Sequence, residues 1–207
     1  MRAEEYLKEP CTASSLSFRK SLLPMPEGLS VVDGRQSLPH WALELECQKY
    51  FKLIHNLKSI PCPALSGFTI KGAERSDLPV MRDIINRSYE DISVDLDYLI
   101  SLTGLSCYKP DLWLMAYDEK GCPAGCAIAE IGREINEGYI EWLQVLPPFR
   151  RKGLGSALVS ELLRRMAMGG ADFCTVSGKA SNPSAPEALY RKCGFEGNDL
   201  WLVFKKQ

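Results

Sequence analysis

Apolar and polar residues follow two rhythms along this chain. Residues 112–117, 124–131 and 139–146 are short apolar runs bounded by turn residues such as Asp118-Glu119-Lys120-Gly121 and Asn136-Glu137-Gly138, and they predict strands. The first two form an apparent hairpin. Residues 67–71, 171–176 and 200–205 predict three more strands. Residues 154–168 follow a longer period: Leu154, Leu158, Leu162 and Met166 recur at i+4, with Val159 and Leu163 beside them, and Gly169-Gly170 follows. That stripe predicts a helix with one buried face. Asp77 before Leu78-Pro79 predicts a capped helix to about residue 89, residues 91–102 a shorter one, and residues 186–193 a third, closed by Gly194. The order from residue 67 onward is β-α-α-β-β-β-α-β-α-β. Hairpin-linked strands followed by a β-α-β crossover imply an α/β (α+β) fold: a mixed sheet with helices on its faces.

The first 66 residues are different. Residues 1–38 are irregular, rich in Ser, Pro and Gly, with a strand near 29–32. In residues 40–58, Leu43, Cys47, Tyr50, Phe51, Ile54 and Leu57 fall at helical spacing. They predict an amphipathic helix that packs on the following domain. Pro61 and Pro63 then interrupt the chain. The expected division is an extension over 1–66 and a main domain over 67–207.

Composition narrows the function classes. Of 207 residues, 45% are hydrophobic and 25% charged, and the net charge is -1. That is globular composition with no basic excess for nucleic acid. No apolar run approaches the ~20 residues of a membrane span, and the first residues lack a secretory h-region. The eight cysteines include no CxxC pair, and the two histidines lie far from Cys122 and Cys126. Buried thiols in a reducing, cytoplasmic setting are expected, with no metal site.

The most informative stretch is Arg150-Arg151-Lys152-Gly153-Leu154-Gly155-Ser156, between a strand and a helix start. Such a turn offers several unpaired N–H groups to one anion, and the helix dipole adds positive potential. Gly153 and Gly155 carry no Cβ to block the approach. Three basic side chains surround the spot. A phosphorylated cofactor fits. The competing reading is a helix-start turn whose glycines serve packing alone.

The element order and three segments together resemble the GNAT superfamily of acyl-CoA-dependent N-acyltransferases. Residues 145–158 look like its strand-loop-helix pyrophosphate motif. Asn182 follows the fifth core strand, and Leu189-Tyr190-Arg191-Lys192-Cys193-Gly194-Phe195 is similar to its Leu-Tyr-x-x-x-Gly-Phe signature. The resemblance covers residues 68–207. It implies a sheet splayed between the strands carrying Val145 and Val176. It implies that Arg150 to Ser156 bind the pyrophosphate of acetyl-CoA, that Leu143 and Val145 pair with the pantetheine arm, and that Asn182 hydrogen-bonds it. Tyr190 is then the general acid for the leaving thiolate, and the Val145 N–H a donor to the carbonyl oxygen. Glu141 is the candidate base: strand alternation puts it on the face of Leu143 and Val145. Glu130 is its alternative, as is a base acting through ordered water. The acceptor is a small-molecule or peptide amine. Its pocket is expected near Arg87, Ser88, Tyr89, Glu90, Asp91, Asp95 and Asp97, with Trp113 and Trp142 either lining it or filling the core. A non-catalytic acyl-CoA-binding protein is the rival function. The family often ends with two strands after Phe195, but here only a dozen residues remain. The missing wall is expected from the extension or from a second subunit, as in a homodimer.

Overall fold

The computed structural model describes residues 3–8, 28–88 and 93–205. The strands are β1 (Leu29–Asp33), β2 (Cys47–His55), β3 (Phe68–Gly72), β4 (Trp113–Asp118), β5 (Pro123–Gly132), β6 (Glu137–Val145), β7 (Phe173–Lys179) and β8 (Glu196–Lys205). The helices are α1 (Ala3–Tyr6), α2 (Leu78–Asn86), α3 (Leu96–Leu102), α4 (Leu154–Met168) and α5 (Pro186–Lys192). All eight strands form one sheet in the order β1-β8-β2-β7-β6-β5-β4-β3. Only β6 and β7 pair in parallel, the consequence of the α4 crossover between them.

The sheet carries a core on each face. On one, Leu154, Leu158, Leu162 and Met166 of α4 pack against Ala127, Ala129, Ile131, Ile140, Cys174 and Val176. The close approach is built in at Gly138, where a Cβ would sit 2.3 Å from the Met166 sulfur. On the other, Met81, Ile84 and Ile85 of α2 and Leu99 of α3 cover Trp113, Met115, Cys126 and Ile128. The strands between are buried on both sides, which is why they read as unbroken apolar runs.

The helix expected over 40–58 is not there. His40–Ala42 make one 3-10 turn, and Cys47–His55 are strand β2. This strand runs antiparallel between β7 and β8, with Tyr50 opposite Lys179 and Trp201. Residues 51–53 are all buried because both faces are covered, so the two-residue rhythm is lost and the apolar positions mimic helical spacing. A central strand gets its hydrogen bonds from chain segments more than a hundred residues away, which no local pattern encodes. β1 lies at the sheet edge beside β8.

Smaller shifts concern the first helices. The Asp77 side chain does not cap α2; it accepts from the Glu74 N–H and from the Tyr117 hydroxyl. The shorter helix begins at Leu96, and Asp95 caps it by accepting from the Tyr98 N–H at 2.6 Å. Of the seven described cysteines, four are buried, whereas Cys62 and Cys122 are exposed. Among the described residues no helix is long and apolar enough to cross a membrane, and no cluster of His, Cys, Asp or Glu could hold a metal ion.

Candidate active site

The sheet opens at its centre. β6 and β7 pair only over Glu137–Phe173, Gly138–Cys174 and Tyr139–Thr175. Beyond Tyr139 the edge of β6 faces no strand, while β7 continues beside β2 as far as Lys179. The Leu146 N–H donates to the Ala124 carbonyl at 2.9 Å, which makes that a hydrogen-bonded pair. Antiparallel alternation then turns the N–H and C=O of Val145 and Leu143 away from β5 and into the opening. Those groups can take an extended ligand as an added strand. Arg150 Nε donates to the Val145 carbonyl at 2.8 Å, so this basic side chain is folded back across the mouth of the opening.

The glycine-rich loop lies at that mouth. Pro147–Phe149 form a 3-10 turn, Arg151 takes φ +64° and Gly153 φ +85°, and α4 starts at Leu154. The first intrahelical bond runs from the Ala157 N–H to the Gly153 carbonyl at 3.0 Å. Among the described residues, the N–H groups of 151–156 donate to no acceptor. Six consecutive amides around a helix start form an anion cradle, so the residues present fit a pyrophosphate. The glycines divide the work. Gly153 is needed for its left-handed backbone. Gly155 is needed for packing: a Cβ there would meet Leu189 at 3.2 Å. Arg150, Arg151 and Lys152 are exposed around the cradle, with the Lys152 ammonium 5.8 Å from the Phe149 ring.

Glu141 sits where alternation fails. Ile128 opposes Trp142 and Ala129 opposes Ile140, so Glu141 is the extra residue of a β-bulge. It therefore does not share a face with Leu143 and Val145 by simple alternation, as expected above. Its half-buried carboxylate bears on the hydroxyl of Tyr139. Burial pushes the Tyr139 hydroxyl far above its ordinary value, and Glu141, Glu137, Tyr190 and Glu130 push it further. Tyr139 thus lies within electrostatic reach of both Glu141 and Tyr190, and it was not singled out from the sequence. The signal was available: it stands two residues before Glu141 in the same strand. Glu130 is buried opposite Tyr139, and Glu137 is buried and accepts from the Thr175 hydroxyl.

Tyr190 is buried in α5. Its ring contacts Phe195 at 5.6 Å and Phe51 of β2 at 6.3 Å. Asn182 stands in the turn after β7. Its Oδ1 accepts from both the N–H and the hydroxyl of Ser184, which leaves Nδ2 to donate elsewhere. It lines a cavity of about 300 Å³ with Phe51, Glu187 and Arg191. Ser88 donates to the Ile84 carbonyl, Asp95 is a helix cap and Asp97 an exposed first-turn residue, so these serve local structure. Tyr89, Glu90 and Asp91 lie outside the described residues. Trp113 is a core residue, and Trp142 is half-buried against the α2–α3 cluster.

A sheet opened between two parallel strands, with an amide cradle at the start of the crossover helix, is the fold class of the acetyltransferases. The family model of the GNAT acetyltransferases matches residues 78–195, more than half of the chain, and the chain belongs to that family. It is 33% identical over 88 residues to the N-alpha-acetyltransferase MAK3 of Arabidopsis thaliana, a match over 42% of this chain and 45% of that relative. The chain thus aligns with under half the length of that curated relative. Among solved structures, a GCN5-related N-acetyltransferase from Sphaerobacter thermophilus superposes with TM-score 0.68 at 20% identity, over 77% of this chain and 51% of that one. The ribosomal-protein-S18-alanine N-acetyltransferase of Escherichia coli superposes with TM-score 0.54 at 22% identity, over 67% and 92%. At such identities the structural likeness concerns the fold.

Proposed function

We propose that the chain is an N-acetyltransferase that moves the acetyl group of acetyl-CoA onto a primary amine by direct attack. The observation that carries this reading is the joint presence of the six-amide cradle and the unpaired edge of β6 running away from it. Acetyl-CoA supplies a thioester whose carbonyl carbon the amine attacks and whose sulfur leaves. The cradle from Arg151 to Ser156 holds the pyrophosphate, with Arg150 swinging from the Val145 carbonyl to add charge. The backbone of Leu143 and Val145 and the Asn182 amide orient the pantetheine arm. The Val145 N–H donates to the carbonyl oxygen as it gains charge. Tyr190, held by Phe51 and Phe195, gives its proton to the leaving sulfur. Glu141 takes the proton of the amine, directly or through Tyr139 and water. Its place at a bulge, where a strand re-aims a side chain, supports that role over Glu130.

The relative named above is by its name an N-alpha-acetyltransferase, and the Escherichia coli neighbour is by its name specific for an alanine of a ribosomal protein, which makes a polypeptide amine a natural acceptor class to try. Calorimetric titration with acetyl-CoA, followed by turnover over a panel of amines read as free thiol, tests the proposal. Binding with turnover is expected. Binding without turnover on any amine would favour a non-catalytic acyl-CoA-binding role, and no binding would overturn the cradle itself.

A further inference from the structure

Strand β2 precedes the residues matched by the family, which begin at Leu78, yet it forms the wall beside β7 where the sheet opens. Strand geometry puts its neighbouring side chains on opposite faces. Phe51, opposite Gly178, faces α4 and Tyr190. Lys52, opposite Ser177, faces the other way. The cradle, α4 and Tyr190 occupy the first face, so a donor bound there leaves the second face to the incoming amine.

That second face holds a polar cluster. Phe173, Thr175 and Ser177 alternate along β7 on it, Thr175 donates to Glu137, and Tyr139 and Glu130 stand opposite each other on the neighbouring strands. Lys52 is 4% exposed, and its ammonium donates to the main-chain carbonyl of Leu7 at 3.3 Å. Leu7 packs against Ile135 and Phe173, at the closed end of the opening. The ammonium thus reaches from the open part of the sheet along the face and meets a peptide carbonyl. A buried cation is tolerated only with good hydrogen-bond partners, and this carbonyl is one of them. Buried Glu130 and Glu137 on the same face disfavour an anion there, and a neutral carbonyl suits the place better than a carboxylate. The segment that supplies it is short and surface-lying: α1 is four residues long, Glu4, Glu5 and Lys8 are exposed, and Leu7 is half-buried.

We propose that Lys52 is a specificity residue for the acceptor. It receives a main-chain carbonyl of a polypeptide whose amine is acetylated, in the place that Leu7 takes in the absence of that acceptor. Residues 3–8 are an internal occupant that the acceptor displaces. This rests on the acetyl-transfer reading above and adds the class of acceptor to it.

The test uses the full chain, as wild type, Lys52→Met and Lys52→Arg. The kcat/KM is measured with acetyl-CoA for an unblocked hexapeptide panel and for n-butylamine, which has no carbonyl. Lys52→Met is expected to lower the ratio of peptide to butylamine kcat/KM by about tenfold to a hundredfold, the range for a hydrogen bond to a charged group. The peptide KM carries the change, and Lys52→Arg recovers part of it. Partial misfolding scales both substrates alike and cancels in the ratio. An unchanged ratio would overturn the proposal, as would a wild type that acetylates butylamine and no peptide, and either leaves acetyl transfer standing. A wild type that turns over neither would overturn both.

Discussion

The Tyr190 ring lies 6.3 Å from the Phe51 ring and is tilted 55° to it. One residue belongs to the family-matched part of the chain, and the other precedes it. Phe51 in turn lies on Gly178, where a Cβ would come within 2.7 Å of its ring. Strand β2 is therefore part of the packing that fixes the proposed general acid.

Gly178→Ala tests that contact. The added methyl must push the Phe51 ring or β7 aside, an overpacking cost of about 1–3 kcal/mol. For a chain of this size each kcal/mol lowers Tm by about 2–4 °C. Thermal unfolding reads the shift, and an unchanged Tm would contradict the stacking. Phe51→Leu combined with it should recover part of the loss.

Tyr190→Phe keeps the ring between Phe51 and Phe195 and removes only the hydroxyl. Acetyl-CoA affinity by calorimetry is expected to stay near wild type, while kcat falls by about 10²-fold or more, the scale of general acid catalysis. Unchanged turnover would remove the general-acid role.

Glu141→Gln and Glu130→Gln separate the two carboxylates. The proposed base is expected to lose about 10²–10⁴ in kcat together with the acidic limb of its pH–rate profile. Glu141→Gln should show both effects, and Glu130→Gln neither. The reverse result would transfer the role.

Gly153→Ala imposes a side chain on a residue at φ +85°. The strain is about 1–2 kcal/mol, and relieving it turns the amide cradle. Acetyl-CoA affinity is expected to fall about tenfold, read by calorimetry. Full affinity would mean the cradle is not the phosphate site.

His55 makes stability depend on pH. Burial holds its pKa below the ordinary 6.5, against smaller opposing effects of Ser59 and Glu196. Its Nδ1 accepts from the Leu57 N–H at 2.9 Å, a bond that protonation there removes. Above pH 6.5 the ring is neutral folded or unfolded, and it contributes no slope. Below that, the unfolded chain takes up the proton first, so stability falls as pH falls, until the folded ring titrates too. Urea midpoints measured from pH 7 downward should show this decline, and His55→Asn should flatten it.

The sequence by itself determined what depends on neighbours along the chain. The strand, turn and helix from residue 139 to 168 are written in apolar spacing and in Gly153, whose left-handed φ a β-carbon resists. The cradle follows from that local chemistry, whereas Tyr190 and Asn182 rest on the likeness of their segments to the family's signatures. Tertiary structure decided the rest. β2 is a strand because β7 and β8 offer it hydrogen bonds on both edges, although its residues are spaced like a helix. Glu141 leaves the alternation because β5 lacks a matching residue opposite it, a fact of register that lies outside its own segment. Lys52 and Phe51 reach the site only because β2 is inserted beside β7. The pairings of β2 join segments over a hundred residues apart, and their energy depends on which partners the fold brings to the edge rather than on any pattern within the segment.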